Sequence, residues 1–178
     1  MTKSEKYFAQ FEAVAELWIS FLPSYTEEQL LRKPSEDEWS LGQVYNHLIG
    51  SALYFHLKQI EVCASGKGTT IKGGKTFKGK ISYLLSTLPP IRIKVPPSEQ
   101  YTPKQPSSKN ELQEKLENAI RILGEAKAMV HASAPNIKTA HPAFGYLNAL
   151  EWFQLIPMHY RHHLHQKKRL DTFISQYK

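Results

Sequence analysis

Histidine is concentrated in one short stretch of this 178-residue chain. The stretch HYRHHLHQ, residues 159–166, holds four of the eight histidines. On a helix, His159 and His163 lie one turn apart and about 40° apart around the axis, whereas His162 lies on a flank and His165 on the far side. Imidazoles at this spacing are typical metal ligands, because their ring nitrogens can converge on one ion about 2 Å away.

A third ligand has to come from another helix. The inward stripe of the second predicted helix contains Val44, His47, Leu48, Ser51, Tyr54 and Phe55. His56 follows His47 by nine residues, so a regular helix would place it about half a turn away. The pattern therefore indicates His47, His159 and His163 as a metal site. The alternative is three half-buried histidines that hydrogen bond to backbone or tyrosine partners, and the residues alone leave both open.

Two glutamines and the single cysteine flank these positions. We predict that Gln166, one turn beyond His163, orients bound water or a ligand from outside the ligand shell. Gln43, one turn before His47, is assigned to helix capping instead. Cys63 lies roughly 24 Å from His47 along the same helix, so we predict a buried small side chain and not a ligand. Tyr160 follows His159 where a zincin protease has glutamate, which excludes that mechanism.

Four amphipathic segments must position these residues. They run over about 4–22, 40–64, 108–130 and 148 to near the C-terminus, and the last contains Pro157, which we expect to kink it. Capping boxes are predicted at Ser40 with Gln43, Ser108 with Glu111, and Asn148 with Glu151. With little strand signal, the pattern predicts an all-α protein, a four-helix bundle with a long crossover connection between helices 2 and 3. We expect a single domain over 1–178.

The crossover connection carries most of the charge. The chain has a net charge of +7, and its Gly, Pro and Lys-rich excursion at about 65–107 holds most of that surplus. A short helix within KISYLLSTL and an edge strand at IRIKV are predicted there. Tyr83 and Tyr101 are not interleaved with the lysines as a stacking platform would require, so we do not expect nucleic acid as a partner.

Composition also sets expectations for location. One cysteine excludes an intramolecular disulfide framework, and charged residues interrupt the N-terminal segment. No run approaches the roughly 18 apolar residues of a membrane span. We expect a cytoplasmic protein without a membrane partner.

Two stretches resemble the DinB-like family. In EWSLGQVYNHL, the pattern W-S-x-x-Q-x-x-x-H ends on His47, and in HPAFGYLNALEWFQLIPMHYRHHLHQ, the pattern H-x-x-x-H-x-x-Q falls on His159, His163 and Gln166. Members of that family are four-helix bundles, and they include thiol S-transferases and a mycothiol-dependent maleylpyruvate isomerase. The resemblance implies a divalent metal ion on the three histidines. It covers the helical frame and not the basic excursion.

Three neutral ligands leave a divalent ion its full charge and an open position, as in catalytic centres, where water or a thiol would become acidic. Ligation without carboxylates favours zinc or nickel, admits copper, and disfavours magnesium and calcium. We expect a metal-dependent enzyme acting on a small molecule, in particular a low-molecular-weight thiol S-transferase. Lysines 72, 75, 78 and 80 would attract the carboxylates of such a thiol if the excursion folded over the mouth of the bundle. The alternatives are a metal-dependent hydrolase, a non-catalytic polyanion-binding or interaction module, and a structural bundle or homodimer.

Overall fold

Four long helical stretches form the frame of the protein, in a computed structural model that describes residues 1–90 and 102–177. The all-α prediction is confirmed. The helices are α1 (Lys3–Phe21), α2 (Glu27–Leu31), α3 (Leu41–Gly50), α4 (Leu57–Ser65), α5 (Phe77–Leu85), α6 (Lys109–Ala132) and α7 (Ala149–Ile174). A short 3₁₀ turn, Leu22–Ser24, follows α1. The first, second and fourth long stretches begin at complete capping boxes, which explains where they start.

The second long stretch is not a uniform α-helix. A π-helical segment, Ser51–His56, joins α3 to α4. A π segment adds a residue to the turn, so everything after it is rotated by about 100° relative to a regular helix. The inward stripe that the sequence predicts for this helix is therefore wrong beyond Ser51. Tyr54 is 81% exposed and Phe55 is 39% exposed. His56, predicted to lie half a turn away, is instead buried in the interior at 4% exposure.

The third long helix begins as predicted but with a different cap. The hydroxyl of Ser108 accepts a hydrogen bond from the amide of Glu111, which is half of the predicted box. The carboxylate of Glu111 turns instead to Ser107, where it accepts from both the amide and the hydroxyl. The reciprocal half of the predicted box is therefore wrong, because the carboxylate of Glu111 is bound to Ser107 and not to the amide of Ser108.

The core lies where the inward stripes of the long helices meet. The predicted α1 stripe of Phe8, Phe11, Ala15, Trp18 and Leu22 is buried throughout. In α7 the stripe holds as far as Leu170, but Tyr177, beyond the helix end, is 45% exposed. The indole nitrogen of Trp18, inside this core, donates a hydrogen bond to the backbone carbonyl of Tyr160. This contact ties α1 to α7 just beside the histidine-rich turn.

A small hairpin, which the sequence did not predict, precedes α7. Strands β1 (Lys138–His141) and β2 (Gly145–Asn148) pair antiparallel, with Thr139 opposite Leu147. Gly145 adopts a φ of +82°, and a side chain there would meet the carbonyl oxygen of Gly74 at 2.5 Å. Only glycine therefore allows the basic excursion to pack this closely against the hairpin.

The described part of the basic excursion is anchored to the hairpin and to α7. Thr70 and Lys138 exchange backbone hydrogen bonds, and the amide of Tyr146 donates to the carbonyl of Gly74. The ammonium group of Lys75 forms a half-buried ion pair with Glu151. The predicted short helix is present as α5, slightly earlier than expected. The predicted edge strand IRIKV lies outside the described residues.

Candidate metal centre

Two long helices bring three imidazoles to one point. His47 projects from α3, and His159 and His163 project from consecutive turns of α7. The Nε2 atoms of His47 and His159 are 3.2 Å apart, and those of His163 and His159 are 3.0 Å apart. One ring nitrogen of each histidine lies within 4.8 Å of the other two, so the group could hold a metal ion. Within the described ranges, no other group of histidine, cysteine or carboxylate side chains meets this condition.

Each of the two histidines of α7 has a hydrogen-bond partner at Nδ1, behind the ring. The amide oxygen of Gln166 can only accept, so the Nδ1 of His163, 2.8 Å away, must be the donor. Neutral His163 therefore keeps its Nε2 lone pair free. The hydroxyl of Ser51 lies 3.2 Å from the Nδ1 of His159 and 3.0 Å from the carbonyl of Leu48. This hydroxyl can donate to either atom, so both tautomers of His159 are compatible with the contact.

The three Nε2 atoms lie within hydrogen-bond distance of one another in pairs, 3.0 Å between His159 and His163 and 3.2 Å between His159 and His47. A proton on the Nε2 of His159 would join two of the rings, whereas a cation among the rings would be attracted to the lone pairs of all three. Partners that hold Nδ1 and turn Nε2 inward are also what metal-binding histidines commonly have. The arrangement of the rings and of their partners therefore fits a cation held by the three Nε2 atoms.

The rings remain uncharged near neutral pH. Burial lowers the pKa of His47 to about 4. Burial, and secondarily the neighbouring His47, lowers the pKa of His163 to about 3. For His159, burial comes first and the two other histidines second, and together they hold its pKa well below the usual range. All three rings are accordingly available as neutral ligands.

Aromatic side chains surround the three histidines. The ring of Trp39 lies 4.9 Å from that of His47, on the side of the α3 N-terminus. The ring of His56 lies 5.6 Å from that of His159. Trp152 lies two turns before His159 on α7, and its ring is 5.9 Å from His56. His56 and Trp152 thus extend the group of aromatic rings beyond His159, toward the hairpin.

Sequence reasoning missed His56 and gave Ser51 no role. Both belong to the π segment, in which Ser51 contacts Nδ1 of His159 and His56 packs beside the same ring. The sequence carries a partial signal, since Val44, Leu48, Ala52 and Ile60 are apolar residues at multiples of four. The structure buries all four of them, together with His56. A regular helix would drift about 160° over that span, and one inserted residue removes most of the drift.

The residues assigned to ordinary roles behave as predicted. Gln43 completes the capping box with Ser40, and its amide nitrogen donates to the carbonyl of Pro103. Cys63 is a buried free thiol, and burial raises its pKa.

Gln166 contacts the ring of His163, so its position suits orienting that ligand more than orienting bound water.

The end of α5 packs on the side of α7 that faces away from the histidines. It contacts Gln154 and Arg161 of α7 through Ser86. On α7 these two residues lie about 140° and 160° around the axis from His159. Lys75 is already paired with Glu151, which does not favour recruitment of a thiol's carboxylates by this lysine. The end of the excursion instead reaches α3, where the carbonyl of Lys104 accepts a hydrogen bond from the side chain of Asn46.

A helical bundle with a three-histidine cluster between its second and fourth long helices defines the class of protein. The DinB_2 family model, described as the DinB superfamily, matches residues 10–166, and the chain belongs to that superfamily. The matched range includes all three histidines and ends on Gln166. Neither a curated protein nor a solved structure matches the chain. None of the helices in the described ranges is both long and apolar enough to cross a bilayer.

Proposed function

We propose that the protein is a metal-dependent enzyme whose divalent ion is held by His47, His159 and His163. The observation that carries the proposal is the convergence of three imidazole Nε2 atoms, those of His163 and His47 lying 3.0 and 3.2 Å from that of His159. Ligand nitrogens about 2.0–2.1 Å from one zinc ion lie about 2.9–3.4 Å from each other, depending on the coordination angle. The two measured separations, 3.0 and 3.2 Å, fall within that interval.

The donor set narrows the choice of ion. All three donors are neutral imidazole nitrogens, which suit zinc and nickel and do not suit magnesium or calcium. Bound there, the ion would keep its full charge and an open position, and it would lower the pKa of a water or thiol at that position. Gln166 supports this role, since its amide oxygen holds His163 in the required tautomer, and Ser51 offers a partner to the Nδ1 of His159.

We further propose that the substrate is a low-molecular-weight thiol, which is transferred to an electrophile. In that reaction the thiol loses its proton to water, its sulfur forms a bond to the electrophilic carbon, and the leaving group departs with its electron pair. The similarity to a family that includes thiol S-transferases supports this reaction. The aromatic ring of Trp39 beside His47 offers an apolar surface for the electrophile.

Metal binding is tested by elemental analysis and metal titration of the purified protein. Wild type is expected to bind one zinc or nickel ion per chain, and His159→Ala is expected to bind none. His162→Ala is the matched control, because His162 lies on the same turn but outside the triad. Equal metal content in wild type and His159→Ala would refute the site.

The reaction class is tested with the metal-loaded protein. Glutathione or bacillithiol is offered with an activated aryl halide, and thioether formation is followed by absorbance. Turnover that disappears in His159→Ala would support thiol transfer. No turnover with any thiol, together with hydrolysis of activated esters or amides, would replace it with a hydrolase.

A further inference from the structure

A fourth histidine is built into the same site by the π segment. His56 is the last residue of that segment, and its ring stands nearly perpendicular to the ring of His159 at 5.6 Å. It comes from the same helical stretch that supplies His47 and Ser51. π segments inside α-helices occur frequently at functional sites, because they rotate particular side chains toward a ligand. Here the rotation is what takes His56 out of solvent and places it beside the proposed ion site.

His56 is buried without satisfying its hydrogen-bonding capacity. It is 4% exposed, and its Nδ1 finds no partner among the residues that the structure describes. A buried polar atom of this kind is uncommon in native proteins and calls for an explanation such as a water, an ion or a ligand. The surrounding rings of Phe55 and Trp152 offer no acceptor at that position. The missing partner is therefore best sought in a molecule that enters the site.

A second unpartnered imidazole nitrogen provides a comparison. The Nδ1 of His162 is also without a partner in the described part of the chain, and its ring lies 5.5 Å from that of His163. His162, however, is only half-buried and stands on the flank of α7 beside the exposed His165. The Nδ1 of His162 is itself buried, so the two residues differ in the burial of the whole side chain and not of this atom. His56 is the interior member of the pair.

We propose that the unpartnered nitrogen of His56 hydrogen bonds, directly or through one water, to the molecule bound at the open position of the three-histidine site. The inference rests on the proposed function, because it needs an ion on His47, His159 and His163. His56 then acts on the bound molecule and not on the ion. Removing its nitrogens should weaken binding of an exogenous ligand and leave metal affinity nearly unchanged.

The test uses the full-length protein loaded with cobalt(II), whose visible absorption reports the ion's ligands, and azide as the exogenous ligand. Cobalt affinity and azide affinity are measured separately for wild type and His56→Phe. The expected result is cobalt affinity within about threefold of wild type and azide affinity lowered about ten- to a hundredfold, the loss typical of one hydrogen bond to an anion. His56→Gln, which restores a donor, should recover most of the azide affinity.

Controls separate the possible failures. His162→Phe should leave both affinities unchanged, and circular dichroism checks that each variant is folded; His56→Met replaces His56→Phe if the latter does not fold. Unchanged azide affinity in a folded variant overturns the inference alone. Equal losses of cobalt and azide affinity, or an equal effect of His162→Phe, also overturn it. A wild-type protein that binds no cobalt refutes the proposed function, and the inference falls with it.

Discussion

Removing the side-chain acceptor of Gln166 should weaken metal binding without removing any ligand. Its amide oxygen lies 2.8 Å from the Nδ1 of His163 and accepts the proton of that nitrogen. This hydrogen bond keeps the Nε2 lone pair of His163 turned toward His159. In Gln166→Leu that proton has no partner at this position, and the ring can rotate or adopt the other tautomer. Loss of one such hydrogen bond costs about 0.5–1.5 kcal/mol, equivalent to a factor of about 2–13 in affinity.

Measured effects of such outer partners of metal ligands run from about 10-fold to 100-fold. The two ranges overlap near tenfold, so we expect zinc affinity to fall about tenfold in Gln166→Leu. Gln166→Glu keeps an acceptor for the Nδ1 proton, and its affinity should equal or exceed that of wild type. Competition with a chromophoric chelator at fixed pH measures all three proteins.

Gln154→Leu is the matched control for this prediction. Gln154 lies on the same helix and hydrogen bonds to Ser86, on the face turned away from the histidines. Its substitution removes a contact with α5 and should not change zinc affinity. Zinc affinity of Gln166→Leu within twofold of wild type, or an equal loss in Gln154→Leu, would refute the assignment of Gln166.

Three further predictions concern the surroundings of the site. Ser51→Ala removes the hydrogen-bond partner of the Nδ1 of His159, so zinc affinity should fall several-fold by the same chelator competition, and an unchanged value would show that Ser51 does not orient this ring. Lys75→Met breaks the half-buried pair with Glu151, so hydrogen exchange over 67–85 should quicken while zinc affinity stays unchanged; exchange equal to that of wild type would show that the pair does not anchor the excursion. Burial lowers the pKa of His141 to about 4, whereas its pKa in the unfolded chain is near 6.5. Between these two values the unfolded state binds one more proton than the folded state, so the free energy of unfolding decreases as the pH is lowered. His141→Asn keeps an acceptor near the position of Nδ1 but cannot take up this proton. Between pH 6.5 and 4.5 its free energy of unfolding, measured with urea, should decrease less than that of wild type, by up to about 1 kcal/mol per pH unit. Parallel curves for the two proteins would contradict this prediction.

Where helices are regular, the sequence was sufficient to place side chains. α7 begins at a complete capping box on Asn148, and α3 begins at another on Ser40, so the phase of each helix is set at its first turn. His47 lies less than two turns from its cap, where little error accumulates. His159 and His163 share a stripe with Trp152, which is fully buried. Convergence of the three rings followed from these starting points.

The remaining features depend on contacts that no local pattern contains. The hairpin strands have four residues each, too few to establish an alternation, and their pairing is completed by the excursion across Gly145. The position of α5 is set by an ion pair and by hydrogen bonds between residues about 70 positions apart, as between Lys75 and Glu151. Such long-range contacts also decide which lysines face solvent, so the charge count alone could not place them.

The π segment explains why the fold and the candidate site depend on each other. Val44, Leu48, Ala52, His56 and Ile60 are all buried at intervals of four residues, which a regular helix cannot achieve on one face. The inserted residue corrects the phase, so that Ile60 and Cys63 reach the core, and the same correction turns His56 inward against His159. Packing alone would be satisfied by an apolar residue at position 56. The histidine there leaves a nitrogen without a partner among the described residues, which costs stability. This loss of stability occurs beside the three imidazoles. It is expected if residue 56 is a histidine because it binds a molecule there, and not because it packs well.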